Sequence, residues 1–146
     1  MPEVENSDVI RHILQTLMNI SSRKTNPGHS LFVMDSVIDK LEKKYDFLKH
    51  VEIKDTRFTE AYDPVSVMTD INSVKSQEIG EAIHDIIMAL NRDLGKDAGH
   101  FFIKEVRNNI NDTYYHSIEE MGIDLSLMQL ECEVNRMEKR LRTIKK

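Results

Sequence analysis

Two stretches of this chain repeat apolar residues at alternating spacings of three and four. The first is Leu31, Met34, Ile38, Leu41, Tyr45 and Leu48; the second is Leu127, Leu130, Val134, Met137, Leu141 and Ile144. That period belongs to an α-helix lying at a shallow angle on another helix, and it does not fit a strand, whose faces alternate every second residue. Both seams call for helical neighbours. Three heptads are short for a free-standing coiled coil, so the pattern points to a bundle.

Helix start and stop signals divide the rest. A first helix is expected from about Asp8 to Ser22, capped by Asn6 or Ser7, with Ile10, Ile13, Leu14 and Leu17 on one face. Pro27 and Gly28 suit a turn after it. The second helix runs from about Ser30 to Lys49. From Val51 to Asp63 the periodicity is lost, which reads as the longest loop. Asp63 and Pro64 then read as the cap and first residue of a short third helix ending near Asn72. A fourth helix spans about Gln77 to Leu94, with Gly95 just past its end. A fifth, behind Asp97, spans about Ala98 to Met121 and is closed by Gly122. Asp124 caps the sixth, where Ile123 and Met128 fit a hydrophobic staple. Short connections make the last three helices antiparallel neighbours. The expected fold is all-α: a left-handed antiparallel bundle of six helices, about four of them long. At 146 residues it forms one domain, residues 1–146, with a single core. This layout resembles a small archaeal six-helix bundle family known from Thermoplasma, whose role is unassigned. The resemblance implies the same fold and carries over no site residue.

Composition narrows the function classes. With 20 Lys and Arg against 25 Asp and Glu, the chain carries −5 and lacks the basic footprint of a duplex nucleic-acid binder. No apolar run is long enough to span a membrane, and the acidic start is unlike a secretory signal. The lone Cys132 cannot form an internal disulfide and suits a reducing cytosol, so a cytoplasmic location is expected.

Candidate chemistry is sparse. Glu81 and His84 form a Glu-x-x-His, the unit that di-metal bundles use in pairs. A helical projection, however, sets both away from the face of Ile79, Ile83, Ile86, Leu90 and Leu94. The six histidines include no H-x-x-x-H, and no C-x-x-C occurs, so no metal site is expected. His12 falls nearly opposite its helix's apolar face, and His116 lies one turn from Asp112 and Glu120. Cys132 is expected outside the sixth seam, where Glu131 and Glu133 disfavour a thiolate. No glycine-rich phosphate loop is present, and no catalytic residue is assigned.

Charge is divided unevenly. From Arg136 onward the chain carries +5, and the remainder carries −10. Such a tail complements a helix dipole, binds a small anionic ligand, or meets an acidic body in self-association. The string Arg136-Met-Glu138-Lys139 resembles the Arg-x-Glu-Arg portion of the late-helix motif of cobalamin adenosyltransferases, also antiparallel bundles. That resemblance implies ATP held by Arg136, Glu138 and Arg140, together with a subunit contact. The family's N-terminal Gly/Thr-rich nucleotide loop has no counterpart between Met1 and Ile20.

The fifth helix contains Asn108, Asn109, Asn111, Asp112 and Thr113, all mediocre helix formers. The stretch reads as a packed helix with small seam residues, or as a kink or polar pocket lined by Arg107, Asn109 and Thr113. Finally, Met88, Phe101, Tyr115 and Met128 point away from the seams and are expected to form one exposed apolar patch. The leading reading is a non-enzymatic bundle acting through association, as a homodimer or with a partner protein, and needing no cofactor. The alternative is a nucleotide- or small-ligand-using bundle enzyme of the cobalamin adenosyltransferase type, with ATP.

Overall fold

The computed structural model describes residues 5–54, 65–98 and 102–144, except the side chains of 96–98, 135–136 and 138–144. Within these residues the chain is all-α apart from one small sheet. Its elements are α1 (Asn6–Lys24), α2 (Pro27–Glu42), β1 (Val51–Ile53), β2 (Val65–Val67), α3 (Ser76–Ala98), α4 (Phe102–Asn109), α5 (Asp112–Glu120) and α6 (Leu125–Ile144). Two short 3₁₀ turns, Asp46–His50 and Thr69–Ser73, join them.

The core forms around α1. Val9, Ile10, Ile13, Leu14, Leu17, Met18 and Ile20 are all buried, together with Ser7, Thr16 and Ser21. At about 100° per residue these positions cover an arc of about 200°, more than half of the helix circumference, well beyond the single stripe of a surface helix. Accordingly α1 touches α2, α3, α4, α5, β2 and the Thr69–Ser73 turn. Its N-terminus is capped from a distance. Neither Asn6 nor Ser7 caps it; the Asn72 side chain accepts from the Ser7 amide at 2.8 Å, and Asn6 Nδ2 donates to the Val74 carbonyl at 3.1 Å. A residue 65 positions away thereby satisfies one of the amides that a helix start leaves open, and the Asn6 bond ties that end of the helix to the chain 68 positions on.

Pro27 and Gly28 open α2 instead of forming a separate turn, because the Asn26 side chain accepts from the His29 amide at 2.8 Å and sets up the first helical residues. The helix stops at Glu42, earlier than the seam predicts. The Lys44 and Tyr45 amides both turn back to the Leu41 carbonyl, and Tyr45 swings inward so that its Oη donates to Asp85 Oδ2 at 2.7 Å. The last seam residue, Leu48, is buried from the 3₁₀ turn. Where an aperiodic loop and a third helix were expected, β1 and β2 pair antiparallel in the register Val51↔Val67, Glu52↔Ser66, Ile53↔Val65. The four apolar side chains share one face on the core and Glu52 and Ser66 face outward, the period-2 pattern of a half-buried sheet. The expected cap at Asp63 and Pro64 lies outside the described residues.

The glycine stops hold. Gly95 takes φ 78° within α3, breaking the helix there. At the end of α5, Gly122 takes φ 95°, its amide bonds the Glu119 carbonyl, and Ile123 bonds the Ile118 carbonyl, both at 3.0 Å. These are the two bonds of a Schellman motif, sealed by buried Ile118 and Ile123. The expected fifth helix is two helices. The Asn111 side chain accepts from the Thr113 amide at 2.9 Å and caps a new start, so the asparagine-rich stretch is a break. No pocket forms from Arg107, Asn109 and Thr113, which are all exposed.

Candidate functional site

α6 carries apolar side chains on two opposite faces. Asp124 caps it as expected, Oδ1 accepting from the Leu127 amide at 3.0 Å. The face that meets the core is Leu125, Met128 and Cys132, with Leu125 1% and Met128 3% exposed. The seam read from the sequence is on the other side. Leu127 is 50% exposed, Leu130 54%, Val134 44% and Met137 62%. This reverses the expectation that the seam is buried and that Met128 and Cys132 point outward. The cause is the end of α5: the Schellman turn drives Ile123 into the core, and Leu125 and Met128 continue the surface that Ile123 begins.

The exposed seam is a concentrated feature. Among the described residues six large apolar side chains are exposed, and the other two, Phe32 on α2 and Met68 after β2, are isolated in sequence. α6 packs chiefly on α4. At 1.5 Å per residue the 20 residues of α6 extend about 30 Å, against about 12 Å for the 8 of α4.

The patch expected from Met88, Phe101, Tyr115 and Met128 does not form. Met128 is buried, and Met88 and Tyr115 are half-buried against the core. Arg107 covers the Tyr115 ring and donates to its Oη at 3.3 Å. Phe101 lies outside the described residues. So do the side chains of Arg136, Glu138 and Arg140, the positions to which the adenosyltransferase resemblance assigns ATP.

Polar groups elsewhere are tied into structure. Glu81 is exposed, and His84 is half-exposed with Nδ1 3.5 Å from Asp85 Oδ1. Asp85 also accepts from Lys44 Nζ at 3.2 Å and from Tyr45 Oη. Burial alone would raise the Asp85 carboxyl, but the hydrogen bonds from Tyr45, Lys44 and His84 outweigh it and hold the group below its ordinary range. Burial, then the bond to Asp85, pushes the Tyr45 phenol up. The cluster locks the end of α2 to α3, and its acid and phenol are set in states that do not exchange protons near neutrality. Among the described residues no group of three His, Cys, Asp or Glu could hold a metal ion.

Two residues depart from their expected surroundings. His12 is half-buried and stacks on Tyr114, centroids 4.1 Å apart, with Nε2 buried and lacking a hydrogen-bond partner; burial lowers its pKa. The signal available in the sequence was α1's second apolar flank, which makes few positions of that helix truly outward. Cys132 is half-buried, 3.5 Å from Asn91 Nδ2, and burial, then Glu131 and Glu133, raise its thiol. Such a thiol is a poor nucleophile.

No helix among the described residues is long and apolar enough to cross a membrane. Comparison with family models, with curated proteins and with solved structures finds no match, so neither the Thermoplasma family nor the cobalamin adenosyltransferases gains support from them.

Proposed function

We propose that this chain is a non-enzymatic helical protein of the cytoplasm that works by associating with another protein surface, and that the outer seam of α6 is the surface it uses. The observation that carries the reading is the seam itself: Leu127, Leu130, Val134 and Met137 stand exposed in unbroken heptad spacing on one helix. A contiguous apolar stripe flanked by charge marks an interaction face, whereas scattered exposed apolar residues do not. The catalytic alternative lacks a comparable support among the described residues, where the cluster of Asp85, Tyr45, Lys44 and His84 fastens the end of α2 on α3.

Light scattering and sedimentation velocity across the micromolar range test the reading. The expected mass climbs above 17.0 kDa with concentration, and Leu130→Glu combined with Val134→Glu, both at exposed positions, abolishes the climb while leaving helix content intact. A wild-type mass fixed at 17.0 kDa at every concentration refutes it and favours the ligand-binding alternative.

A further inference from the structure

α5 rests on α1 through a stacked pair of rings. Tyr114 lies on His12 with centroids 4.1 Å apart and ring planes 15° apart. The site leaves His12 Nε2 buried and without a hydrogen-bond partner. We propose that this pair is an acid-sensitive latch: a proton taken up by His12 lifts the first turns of α5 off α1 while the core stays closed.

The proton is what the closed arrangement cannot accommodate. An imidazolium carries a charge and donates from both ring nitrogens. Buried Nε2–H would then lack an acceptor, and a charged donor is far costlier to bury unpaired than a neutral nitrogen. The Tyr114 face attracts a cation, but in a near-parallel stack the N–H lies in its own ring plane and does not point at that face. Moving Tyr114 off the ring opens the nitrogen to water.

Neighbouring charges do not supply the missing acceptor. On α1 itself, Asp8 is 3.9 Å from Arg11, and both are about half exposed. On α5, Asp112 and His116 stand two residues to either side of Tyr114 and are exposed. From α4, Glu105 is turned to Lys24 and Arg107 to Tyr115. On α3, Asp85 and Asp93 are turned to Tyr45 and His29 of the α2 side. α2 itself meets Ser21 through Ser30, and Ser21 is nine residues, or about 180°, around α1 from His12. β2 has no ionisable side chain, and Asp70 of the Thr69–Ser73 turn is exposed. Burial alone sets the direction in which the His12 pKa moves, which is down.

The opening is local because the chain is pinned on both sides of Tyr114. Ile110 and Ile118 are buried, and every residue between them is exposed or half-buried. The Asn111 cap separates this segment from α4, and Gly122 ends it. Since the open state binds the proton better, each pH unit below the ordinary histidine value of 6.5 raises the open fraction by up to about tenfold.

Native-state hydrogen exchange on the full chain from about pH 5 to about pH 8, corrected for the intrinsic pH dependence of exchange, reads this opening amide by amide. The Tyr115 amide, bonded to the Asn111 carbonyl at 2.8 Å, and those that follow it in α5 are expected to lose up to about tenfold in protection per pH unit below 6.5. The amides of Ile13 and Leu14 in α1 keep theirs. His12→Phe, which retains a ring for Tyr114, abolishes the pH dependence, and His116→Asn, an exposed change on the same helix, leaves it in place. Parallel losses in α1 and α5 overturn the latch, since the whole fold then loosens. So does protection in α5 that is flat with pH, or a loss that survives His12→Phe. If His12→Phe does not fold, the wild-type ring is titrated by NMR: the latch requires that His12 charge over the same pH interval in which α5 opens, with a midpoint below 6.5, and any other order overturns it.

Discussion

Two alanine substitutions two residues apart on α6 test the orientation on which the functional reading depends. Met128 is 3% exposed and sits where α6 meets the core; Leu130 is 54% exposed on the opposite face. Truncating a buried methionine to alanine removes its transfer free energy and leaves a cavity, together about 2–5 kcal/mol. Leu130 has less than half of its surface to lose. Fully burying a leucine contributes about 2 kcal/mol, so its truncation costs under about 1 kcal/mol, and the better helix propensity of alanine offsets about 0.2 kcal/mol of that. For a domain of this size each kcal/mol moves Tm by about 2–4 °C. Met128→Ala is thus expected to lower Tm by roughly 4–20 °C and Leu130→Ala by no more than roughly 3 °C. Urea and thermal melts at sub-micromolar concentration give the comparison. The order reverses with a seam-inward α6: if Leu130→Ala costs more than Met128→Ala, the exposed stripe does not exist and the association argument fails with it. The periodicity alone predicts the seam-inward outcome, including a large loss for Val134→Ala. The structure gives that residue 44% exposure and expects a loss within about 0.5 kcal/mol.

Three further outcomes follow from contacts already described or adjacent to them. Gly80 faces the end of α5, and a Cβ added there would fall on the Met121 carbonyl oxygen and 3.0 Å from that residue's carbonyl carbon and Cβ; Gly80→Ala should therefore lose about 1–2 kcal/mol in urea melts, overpacking against backbone outweighing the roughly 1 kcal/mol by which alanine favours a helix. A more stable variant would show that α3 and α5 are further apart. Asp85→Asn should destabilise at neutral pH, and the gap to wild type should close as pH falls below the ordinary value of 3.8, because a carboxyl with a lowered folded pKa contributes above its unfolded pKa and loses that contribution on protonation; a pH-independent gap would deny the carboxylate its role. For His12 the lowered pKa makes the unfolded chain the better proton acceptor, so wild-type stability should decline as pH drops below 6.5. His12→Phe, which keeps the ring on Tyr114, should flatten that part of the pH profile, and an unchanged slope would assign it elsewhere.

What the sequence made legible was chemistry acting within a few residues. Gly95 and Gly122 take the positive φ that no side chain tolerates well, and the Asp124 carboxylate caps its own helix. Asn108 to Thr113 disfavour helix strongly enough that the chain breaks there, one of the two outcomes their propensities allow. What stayed hidden was set by distant parts of the chain. Val51–Ile53 and Val65–Val67 are three residues each, too short to show alternation until each finds the other. α2 ends early because Tyr45 reaches Asp85, 40 positions away. In α6 both faces carry apolar side chains, and the longer seam made the stronger pattern. Periodicity reports that a face is apolar; it does not report which neighbour covers it.

The enclosure of α1 has a consequence for how the chain is made. Synthesis delivers α1 first, yet the partners that close around it include α4 and α5, about 100 residues later in the sequence. At roughly 5–20 residues per second on the ribosome, Val9, Ile13, Leu14 and Leu17 wait roughly 5–20 s with part of their surroundings missing. The Asn72 side chain that completes the first turn of α1 also arrives only after nearly half of the chain has been made. The helix with the most packing partners among the described elements is therefore the one that waits longest for them. A destabilising change in α4 or α5 would register first as captured or aggregated nascent chains, before any loss of the finished fold could be measured.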